Sequence, residues 1–256
     1  MEPAGTRCLV TGASGGIGRA VARRLAAAGA RLAVHGRDRP ALTELAAAGD
    51  GASVAAILTG DLTRAGAAEA AVEDAAAALG GVDVVVAGAG AGWAGPFTGM
   101  DMAEAERLVA LNLMAPVRLT RAALPAMLQR RRGHVVLIGS IAGCVGVPEE
   151  AVYAATKAGL AAFADSLRGE VAGSGVGVSL VTPGAVDTAF FERRGRRYGR
   201  RIPRLVSPER VAAAVVACVE DDRAERTVPR WLAVPARLHG AAPGLYRSLA
   251  RLDRGG

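Results

Sequence analysis

Short runs of apolar residues, many of them β-branched, alternate along the chain with longer alanine-rich stretches whose apolar positions recur at helical spacing. Such runs are typical of strands covered on both faces, and the longer stretches are typical of amphipathic helices. Strands are predicted over 7–12, 31–36, 53–62, 82–90, 134–140 and 177–184, and helices over 16–29, 41–49, 68–81, about 101–130 and about 151–172. Because strands alternate with helices, we expect an α/β fold, a three-layer sandwich with helices on both faces of a parallel sheet.

The composition is that of a protein with one large core. The chain has 256 residues, 51% of them apolar, and no linker or repeat interrupts the alternation of strands and helices. A length of this order is within the range of one α/β domain. A single domain over 1–256 is therefore predicted.

The positive charge is concentrated in one segment rather than spread over a surface. The formal net charge is +7, and seven arginines crowd a short stretch: Arg193, Arg194, Arg196, Arg197, Arg200, Arg201 and Arg204. No recognition helix and no interleaving of basic and aromatic residues accompanies them, so no binding of nucleic acid is predicted.

The cysteines and the hydropathy pattern give expectations about compartment. Cys8, Cys144 and Cys218 are odd in number and widely spaced, which argues against a disulfide framework and against a zinc site, so no metal is predicted. The first residues lack a signal-peptide apolar region, and no apolar run reaches membrane-spanning length. We expect a cytoplasmic protein without membrane contact.

A glycine-rich stretch, TGASGGIG (11–18), lies between the first predicted strand and the first predicted helix. Glycines at 12, 16 and 18 allow a sharp turn, a close approach to a pyrophosphate and tight packing of the helix on the strand. The N-terminus of the helix then offers free N–H groups to the anion. A structural turn in a glycine-rich protein is the alternative.

Tyr153 and Lys157 stand four residues apart in a predicted helix, and Lys157 is the only lysine of the chain. Residues at this spacing share one helix face. A cation about 4 Å from a phenol stabilises the phenolate by about 4 kcal/mol, enough to bring the tyrosine pKa near neutrality. Ser140 ends a predicted strand thirteen residues before Tyr153, where a parallel strand opens on a ligand cleft. A core tyrosine, a surface lysine and a capping serine are the alternatives.

Together these motifs resemble the short-chain dehydrogenase/reductase superfamily, in its branch of about 250 residues, with TGxxxGxG and YxxxK motifs in register to about residue 190. The resemblance implies a Rossmann-like, seven-stranded parallel sheet and nicotinamide-dependent interconversion of an alcohol and a carbonyl. It implies that Ser140, Tyr153, Lys157 and Asn112 are catalytic. Asn112, the only asparagine, would hold a water that links Lys157 to solvent.

The same resemblance implies a set of cofactor-binding positions. These are Gly12, Ser14, Gly16, Ile17, Gly18, Arg37, Asp61, Leu62, Ala87, Gly88, Ala89, Tyr153, Lys157, Pro183, Gly184, Val186 and Thr188. Asp61 and Leu62 would flank the adenine, although Asp61 also fits a turn residue. Where the family usually has N-N-A-G, this chain has Ala87 to Gly90, so the bonding that the first asparagine gives to neighbouring strands is in doubt.

The end of the second strand favours NADP(H) over NAD(H). The position of the acidic residue that would bind the ribose 2′-OH is Gly36, and Arg37 follows it. An arginine can bind a 2′-phosphate through two parallel hydrogen bonds, and Ser14 would add a hydroxyl. The alternative is a solvated Arg37 beside an Asp38 that caps the helix starting near Pro40.

Two segments are expected to define the substrate. Residues 184–206 correspond to the family's variable lid, whose arginines would recruit an acidic or carrier-linked substrate or would simply be solvated. Residues 230–256 form a C-terminal extension with Trp231, for which a subunit interface, a pocket cover or a membrane surface are the alternatives. Its prolines disfavour membrane binding.

We therefore expect an NADP(H)-dependent oxidoreductase that interconverts a ketone and a secondary alcohol, with a tyrosine as general acid and base. A reductase of 3-oxoacyl groups carried on coenzyme A or a carrier protein is the first alternative. A sensor or scaffold that binds NADP(H) without turnover is the second. A homodimer or homotetramer is expected.

Overall fold

A computed structural model describes residues 1–48, 53–199, 202–244, 246 and 248. Some positions named above lie outside the described residues: Gly49 at the end of a predicted helix, Arg200 and Arg201 of the lid, and 245, 247 and 249–256 of the extension.

Seven parallel strands form one sheet. They are β1 (Arg7–Thr11), β2 (Arg31–Gly36), β3 (Val54–Thr59), β4 (Val84–Ala87), β5 (Gly133–Ile138), β6 (Val176–Pro183) and β7 (Glu225–Val228), in the spatial order β3-β2-β1-β4-β5-β6-β7. The first six lie where the hydrophobic pattern predicts strands. The position of β7 is not predicted by that pattern, because its sequence ERTV is short, charged and mostly half-exposed.

Helices cover both faces of the sheet. They are α1 (Gly16–Ala27), α2 (Arg39–Ala47), α3 (Ala67–Leu79), α4 (Met102–Val109), α5 (Ala115–Gln129), α6 (Ile141–Val145), α7 (Ala151–Glu170), α8 (Phe190–Arg193), α9 (Pro208–Asp221) and α10 (Ala233–Ala241). A π-helical segment, Ala110–Met114, joins α4 to α5, and 3-10 turns lie at Phe97–Gly99 and Arg230–Leu232. Among the described residues, no helix has both the length and the apolarity that crossing a membrane requires.

Alternate side chains of each strand enter two separate cores. Val10 of β1 packs in one core with Leu25 of α1 and Val215 of α9. Leu9, the preceding residue, packs in the other core with Leu119 of α5, and α3 and α7 contribute to that core as well. This two-sided burial explains the continuous apolar strands and confirms the three-layer α/β sandwich. That the whole of 1–256 is one domain stays a prediction.

The order of the strands positions a cleft at the centre of the sheet. The chain runs outward from β1 through β2 to β3, and then crosses to the other side of β1 to form β4. Loops that leave β1 and β4 at their carboxyl ends therefore diverge to opposite faces of the sheet. In open α/β sheets such a reversal opens a crevice in which ligands bind.

Candidate active site

A cavity of about 1140 Å³ lies along the carboxyl ends of the strands. Most residues predicted for the site line it: Gly12, Ser14, Gly16, Ile17, Gly18, Arg37, Asp61, Leu62, Gly88, Ala89, Ser140, Tyr153, Lys157, Pro183, Gly184, Val186 and Thr188. Ala87 and Asn112 are not part of its wall: Ala87 is buried in β4 and Asn112 in the π-helical segment. Within the described ranges, no three His, Cys, Asp or Glu side chains are grouped as metal ligands would be.

The glycine-rich loop lies in backbone contact with the segment that follows β4. Gly12 has a φ of +72°, and a Cβ at this position would lie 2.8 Å from the backbone nitrogen of Ala89. The Thr11 hydroxyl donates to the carbonyl of Val86 (3.2 Å) and accepts from the N–H of Gly88 (3.1 Å). Thr11 thus links β1 to β4 in a chain that lacks the family's asparagine at Ala87.

The start of α1 is open to an anion in the cavity. Its N-cap residue, Gly15, provides no side-chain cap, and Gly15, Gly16 and Ile17 all line the cavity. The first N–H groups of a helix have no partner within the helix, and they carry partial positive charge. This end of the cavity therefore has the chemistry to hold a pyrophosphate.

The region after β2 has no acidic side chain facing the glycine loop. A Cβ at Gly36 would lie 2.6 Å from the Ser14 hydroxyl oxygen, so this hydroxyl lies where a side chain at 36 would begin. Arg37 is exposed and lines the cavity. Asp38 accepts a hydrogen bond from the N–H of Ala41 (3.0 Å) and so caps α2, as its alternative role predicted. A hydroxyl and a guanidinium therefore flank this edge of the cavity.

Asp61 makes a turn and also faces the cavity. Its Oδ1 accepts from the N–H (3.0 Å) and from the hydroxyl (2.8 Å) of Thr63. The backbone hydrogen bond from Thr63 is the largest cause that lowers the pKa of Asp61. Its turn role is therefore correct, and it lines the cavity beside the buried Leu62.

Ser140 caps a helix and shares the cavity wall with Tyr153. β5 ends at Ile138, two residues before Ser140, and the Ser140 side chain accepts from the N–H of Ala142 (3.2 Å) to cap α6. Ser140 and Tyr153 both line the cavity, and Ser140 acts to lower the pKa of Tyr153. The capping role and the position in the cleft, which were alternatives in the sequence, occur together.

Lys157 is buried in the wall of the cavity with 6% of its surface exposed. Its Nζ donates to the carbonyl of Ile138 (2.8 Å) and lies 5.9 Å from the ring centroid of Tyr153. Burial lowers the pKa of Lys157 to about 8. The Lys157 ammonium is therefore bound to the Ile138 carbonyl and also lies near the ring of Tyr153.

The expected lowering of the Tyr153 pKa is wrong for this arrangement. Burial, opposed by the hydrogen bond to Ser140, raises the pKa of Tyr153 to about 12. Lys157 does not reverse this, because its ammonium is bound to the Ile138 carbonyl and lies 5.9 Å from the ring centroid. The phenol is consequently protonated at neutral pH and is suited to donate a proton.

Asn112 holds the segment after β4 rather than the cavity surface. Its side-chain oxygen accepts from the N–H of Ala91 (3.0 Å), and its side-chain nitrogen donates to the carbonyl of the same residue (2.9 Å). A Cβ built on Gly90 would lie 3.2 Å from Asn112 Oδ1 and 3.9 Å from Lys157 Nζ, so both groups face Gly90. A role in holding water stays a prediction.

The lid covers the cavity with aromatic rings that the sequence analysis did not single out. Thr188 contacts the start of α1, since a Cβ at Gly16 would lie 2.2 Å from its methyl group. The Phe190 ring lies 5.6 Å from the ring of Tyr153, and Phe191 packs between Phe190 and Tyr198. A signal existed in the sequence, because two of the four phenylalanines of the chain are adjacent here.

The lid arginines divide into paired and unpaired side chains. Arg194 forms an ion pair with Glu150, and Arg196 forms one with Glu149. Arg193 and Arg197 line the cavity, and within the part of the chain that the structure describes neither has a carboxylate partner. Arg193 and Arg197 are thus available to recruit a substrate, whereas the charges of Arg194 and Arg196 are already paired.

Comparison with known proteins gives the same family throughout. A family model described as short chain dehydrogenase matches residues 6–199. Dehydrogenase/reductase SDR family member 7B of Bos taurus is 34% identical over 265 residues, which cover 96% of this chain and 82% of that protein. Ketoacyl reductase HetN of Nostoc sp. is 34% identical over 222 residues, which cover 86% of this chain and 77% of that protein.

Solved structures of similar fold are also dehydrogenases by name. A short-chain dehydrogenase from Sphingobium yanoikuyae, in complex with NADPH, has a TM-score of 0.80 and 30% identity, and the match covers 93% of this chain and 96% of that chain. A short chain dehydrogenase/reductase from Burkholderia phymatum, in complex with NAD, has a TM-score of 0.85 over 96% of both chains. At 24% identity, the second supports the fold alone.

Proposed function

The chain belongs to the short-chain dehydrogenase/reductase superfamily, and from this premise we propose that it is an NADP(H)-dependent oxidoreductase that interconverts a ketone and a secondary alcohol. The observation that carries the proposal is that Ser140 and Tyr153 line the same cavity wall, with Lys157 one helical turn further on. A chain that bound the cofactor without turnover would have no need for this pair.

In the proposed reaction, a proton is transferred to or from the substrate oxygen and a hydride to or from the substrate carbon. The chemistry that a nicotinamide would supply when bound in the cavity is transfer of a hydride to or from the substrate carbon. In the direction of reduction, the hydroxyls of Ser140 and Tyr153 donate hydrogen bonds to the carbonyl oxygen, and the Tyr153 proton moves to that oxygen as the carbon is reduced. Lys157 provides positive charge near the resulting phenolate and would hold the ribose hydroxyls of the cofactor. Asn112 supports the path by which the proton is replaced.

Residues at the far end of the cavity support NADP(H) as the cofactor. The glycine loop and the uncapped start of α1 offer N–H groups for a pyrophosphate. Arg37 lines this end of the cavity and offers a guanidinium to a 2′-phosphate, and Ser14 lies beside Gly36, where no carboxylate would repel that phosphate. The relative from Sphingobium yanoikuyae, solved with NADPH, supports the same choice.

A second candidate is the reduction of 3-oxoacyl groups carried on coenzyme A or on a carrier protein. One relative is named a ketoacyl reductase, and Arg193 and Arg197 face the cavity with charge available to a phosphate or carboxylate. A panel that contains both free ketones and coenzyme A-linked 3-oxoacyl substrates separates the two candidates. Homo-oligomerisation and a cytoplasmic location stay predictions.

The variant Tyr153→Phe tests the proposal. Removal of the hydroxyl is expected to lower turnover by about 10²- to 10⁴-fold, the usual contribution of a general acid. The affinity for NADPH, measured by titration of its fluorescence, should be retained because the ring still packs against Phe190. Full activity in this variant would overturn the mechanism. Binding of NADPH by the parent protein, without turnover of any carbonyl in the panel, would favour the sensor instead.

A further inference from the structure

Two neighbouring glutamates before α7 face two arginines of the lid, and the two ion pairs differ in burial. The side chains of Glu150 and Arg194 are 13% and 8% exposed, whereas those of Glu149 and Arg196 are 41% and 57% exposed. Ion pairs in solvent contribute little, because water screens the charges. In an enclosed pair, each charge depends on the other for its compensation.

Both members of the enclosed pair lie close to Tyr153. Glu150 is the N-cap residue of α7 and precedes Tyr153 by three residues, about one helical turn. Arg194 directly follows α8, and its guanidinium carbon lies 4.6 Å from the ring centroid of Phe191. Phe190, the first residue of α8, packs its ring on Tyr153. The pair therefore joins the lid to the helix that carries Tyr153.

We propose that Glu150 and Arg194 are positioning residues for the proposed reaction: their enclosed ion pair, between the lid and the start of α7, places two opposite charges beside the phenol of Tyr153. This proposal rests on the proposed function of Tyr153. It assigns to one lid arginine a role that differs from substrate recruitment. It also explains why Arg194 and not Arg196 is withdrawn from solvent.

The groups around the Tyr153 phenol raise or lower its pKa. Burial raises the pKa of Tyr153, the hydrogen bond from Ser140 lowers it, the charge of Glu150 raises it and the charge of Arg194 lowers it. Lys157 also faces the ring, with its Nζ 5.9 Å from the ring centroid. The charges of Glu150 and Arg194 act in opposite directions on the phenol. If one is removed, the other is left to act alone on the phenol.

The test removes each charge separately. Glu150→Gln is expected to move the Tyr153 titration down by about one pH unit, and Arg194→Gln to move it up by a similar amount. Oxidation of an alcohol needs the phenolate, so at a fixed pH near 8 its kcat/KM should rise about tenfold in Glu150→Gln and fall about tenfold in Arg194→Gln. The double variant should lie close to the parent.

A second readout is independent of turnover. Ultraviolet difference titration of tyrosinate in Glu150→Gln, with Tyr153→Phe in the same background as the blank, should show the lowered midpoint. If this shift is found but no carbonyl substrate is turned over, the positioning of Tyr153 stands and the proposed function fails. If turnover is found but the titration of Tyr153 is unchanged, the positioning role is refuted and the proposed function stands.

The exposed pair provides the matched control. Glu149→Gln and Arg196→Gln make the same changes of charge one residue and two residues away, and they should shift the Tyr153 titration by less than about 0.3 pH units because solvent screens them. A lid that is merely latched by Glu150 and Arg194 would respond alike to loss of either partner. Shifts of the same sign in Glu150→Gln and Arg194→Gln, or shifts no larger than in the control pair, would therefore overturn the proposal.

Discussion

The floor and the roof of the cavity are held in different ways. The floor consists of the glycine loop, 11–18, and the segment 87–91, and its contacts are made to backbone atoms. There, Gly12 lies against the backbone of Ala89, the Thr11 hydroxyl bonds to backbone groups of Val86 and Gly88, and the Asn112 side chain bonds to the backbone of Ala91. The roof is the lid, 184–206, and its described part is held by side chains, namely stacked rings and ion pairs.

Because of this difference, the floor and the roof should tolerate amino-acid substitutions to different extents. A backbone contact at van der Waals distance leaves no room for a larger residue, so the floor accepts few substitutions. Rings and ion pairs can be exchanged for others without a change in the path of the sheet. The cofactor end of the site is thus tied to the fold, whereas the substrate end is free to vary.

Substitution of a glycine in each region is the most direct way to break this comparison. Gly12 and Gly195 both have positive φ, +72° and +85°. Alanine at either position carries a backbone cost of about 1–2 kcal/mol. At Gly12, however, the new Cβ would lie 2.8 Å from backbone atoms, whereas at Gly195 it would have no neighbour within 4 Å. We expect Gly12→Ala to lower the free energy of unfolding by about 2–4 kcal/mol and to abolish cofactor binding.

Gly195→Ala is the control, with an expected loss of about 1–2 kcal/mol from strain alone. The free energies of unfolding are measured by urea denaturation, and cofactor binding by NADPH fluorescence. Equal losses in the two variants would show that the floor is no more constrained than the roof.

The same contrast explains how far the sequence predicts this molecule. Six of the seven strands are continuous apolar runs, so they could be located from hydrophobicity alone. The edge strand β7 could not, because it has four residues and two of them, Glu225 and Arg226, are charged. α6, α8, α9 and α10 also lie outside the predicted helices; α6 and α8, with five and four residues, are too short to show a period.

The glycine loop of the floor was also predictable, because its glycines stand between a predicted strand and a predicted helix. Ser140, Tyr153 and Lys157 were expected at the site from the resemblance to the family. The roof was not predictable, because the partner of Arg194 lies 44 residues away along the chain and no local pattern specifies it. The pKa of Tyr153 was predicted in the wrong direction for a related reason. A helical spacing gives the approach of Lys157, but it gives neither the burial of the phenol nor the carbonyl that binds the ammonium.

A buried cation in each region gives a second test of the comparison. Lys157 in the wall has no carboxylate partner among the described residues, whereas Arg194 in the roof is paired with Glu150. Removal of the lysine charge should therefore stabilise the fold, and removal of the arginine charge should destabilise it. We expect Lys157→Met to raise the free energy of unfolding by about 1–3 kcal/mol at pH 7, with loss of turnover. We expect Arg194→Met to lower it by about 1–3 kcal/mol.

The stability gained by Lys157→Met should depend on pH, because it arises from removal of a buried charge. Burial lowers the pKa of Lys157 from 10.5 to about 8, so the folded state binds this proton less tightly than the unfolded state does. The cost of the buried charge is complete below about pH 8 and disappears as the pH rises toward 10.5. The advantage of Lys157→Met in urea denaturation should shrink over that interval. An advantage that does not change with pH would mean that packing, and not charge, causes it.

The smallest expected effect concerns the rim of the floor, where a side chain and not the backbone is proposed to select the cofactor. Arg37→Gln removes a guanidinium that lines the cavity and should reduce the ratio of NADPH to NADH affinity about tenfold, or about 1.4 kcal/mol. Arg39→Gln is the matched control, because Arg39 is exposed like Arg37 but does not line the cavity. Fluorescence titration with both nucleotides measures the ratio. If Arg37→Gln and Arg39→Gln change it equally, net charge and not a 2′-phosphate contact determines the preference. A change confined to Arg37→Gln would show that a side chain, and not only the backbone of the floor, contributes to the choice of cofactor at this end of the cavity.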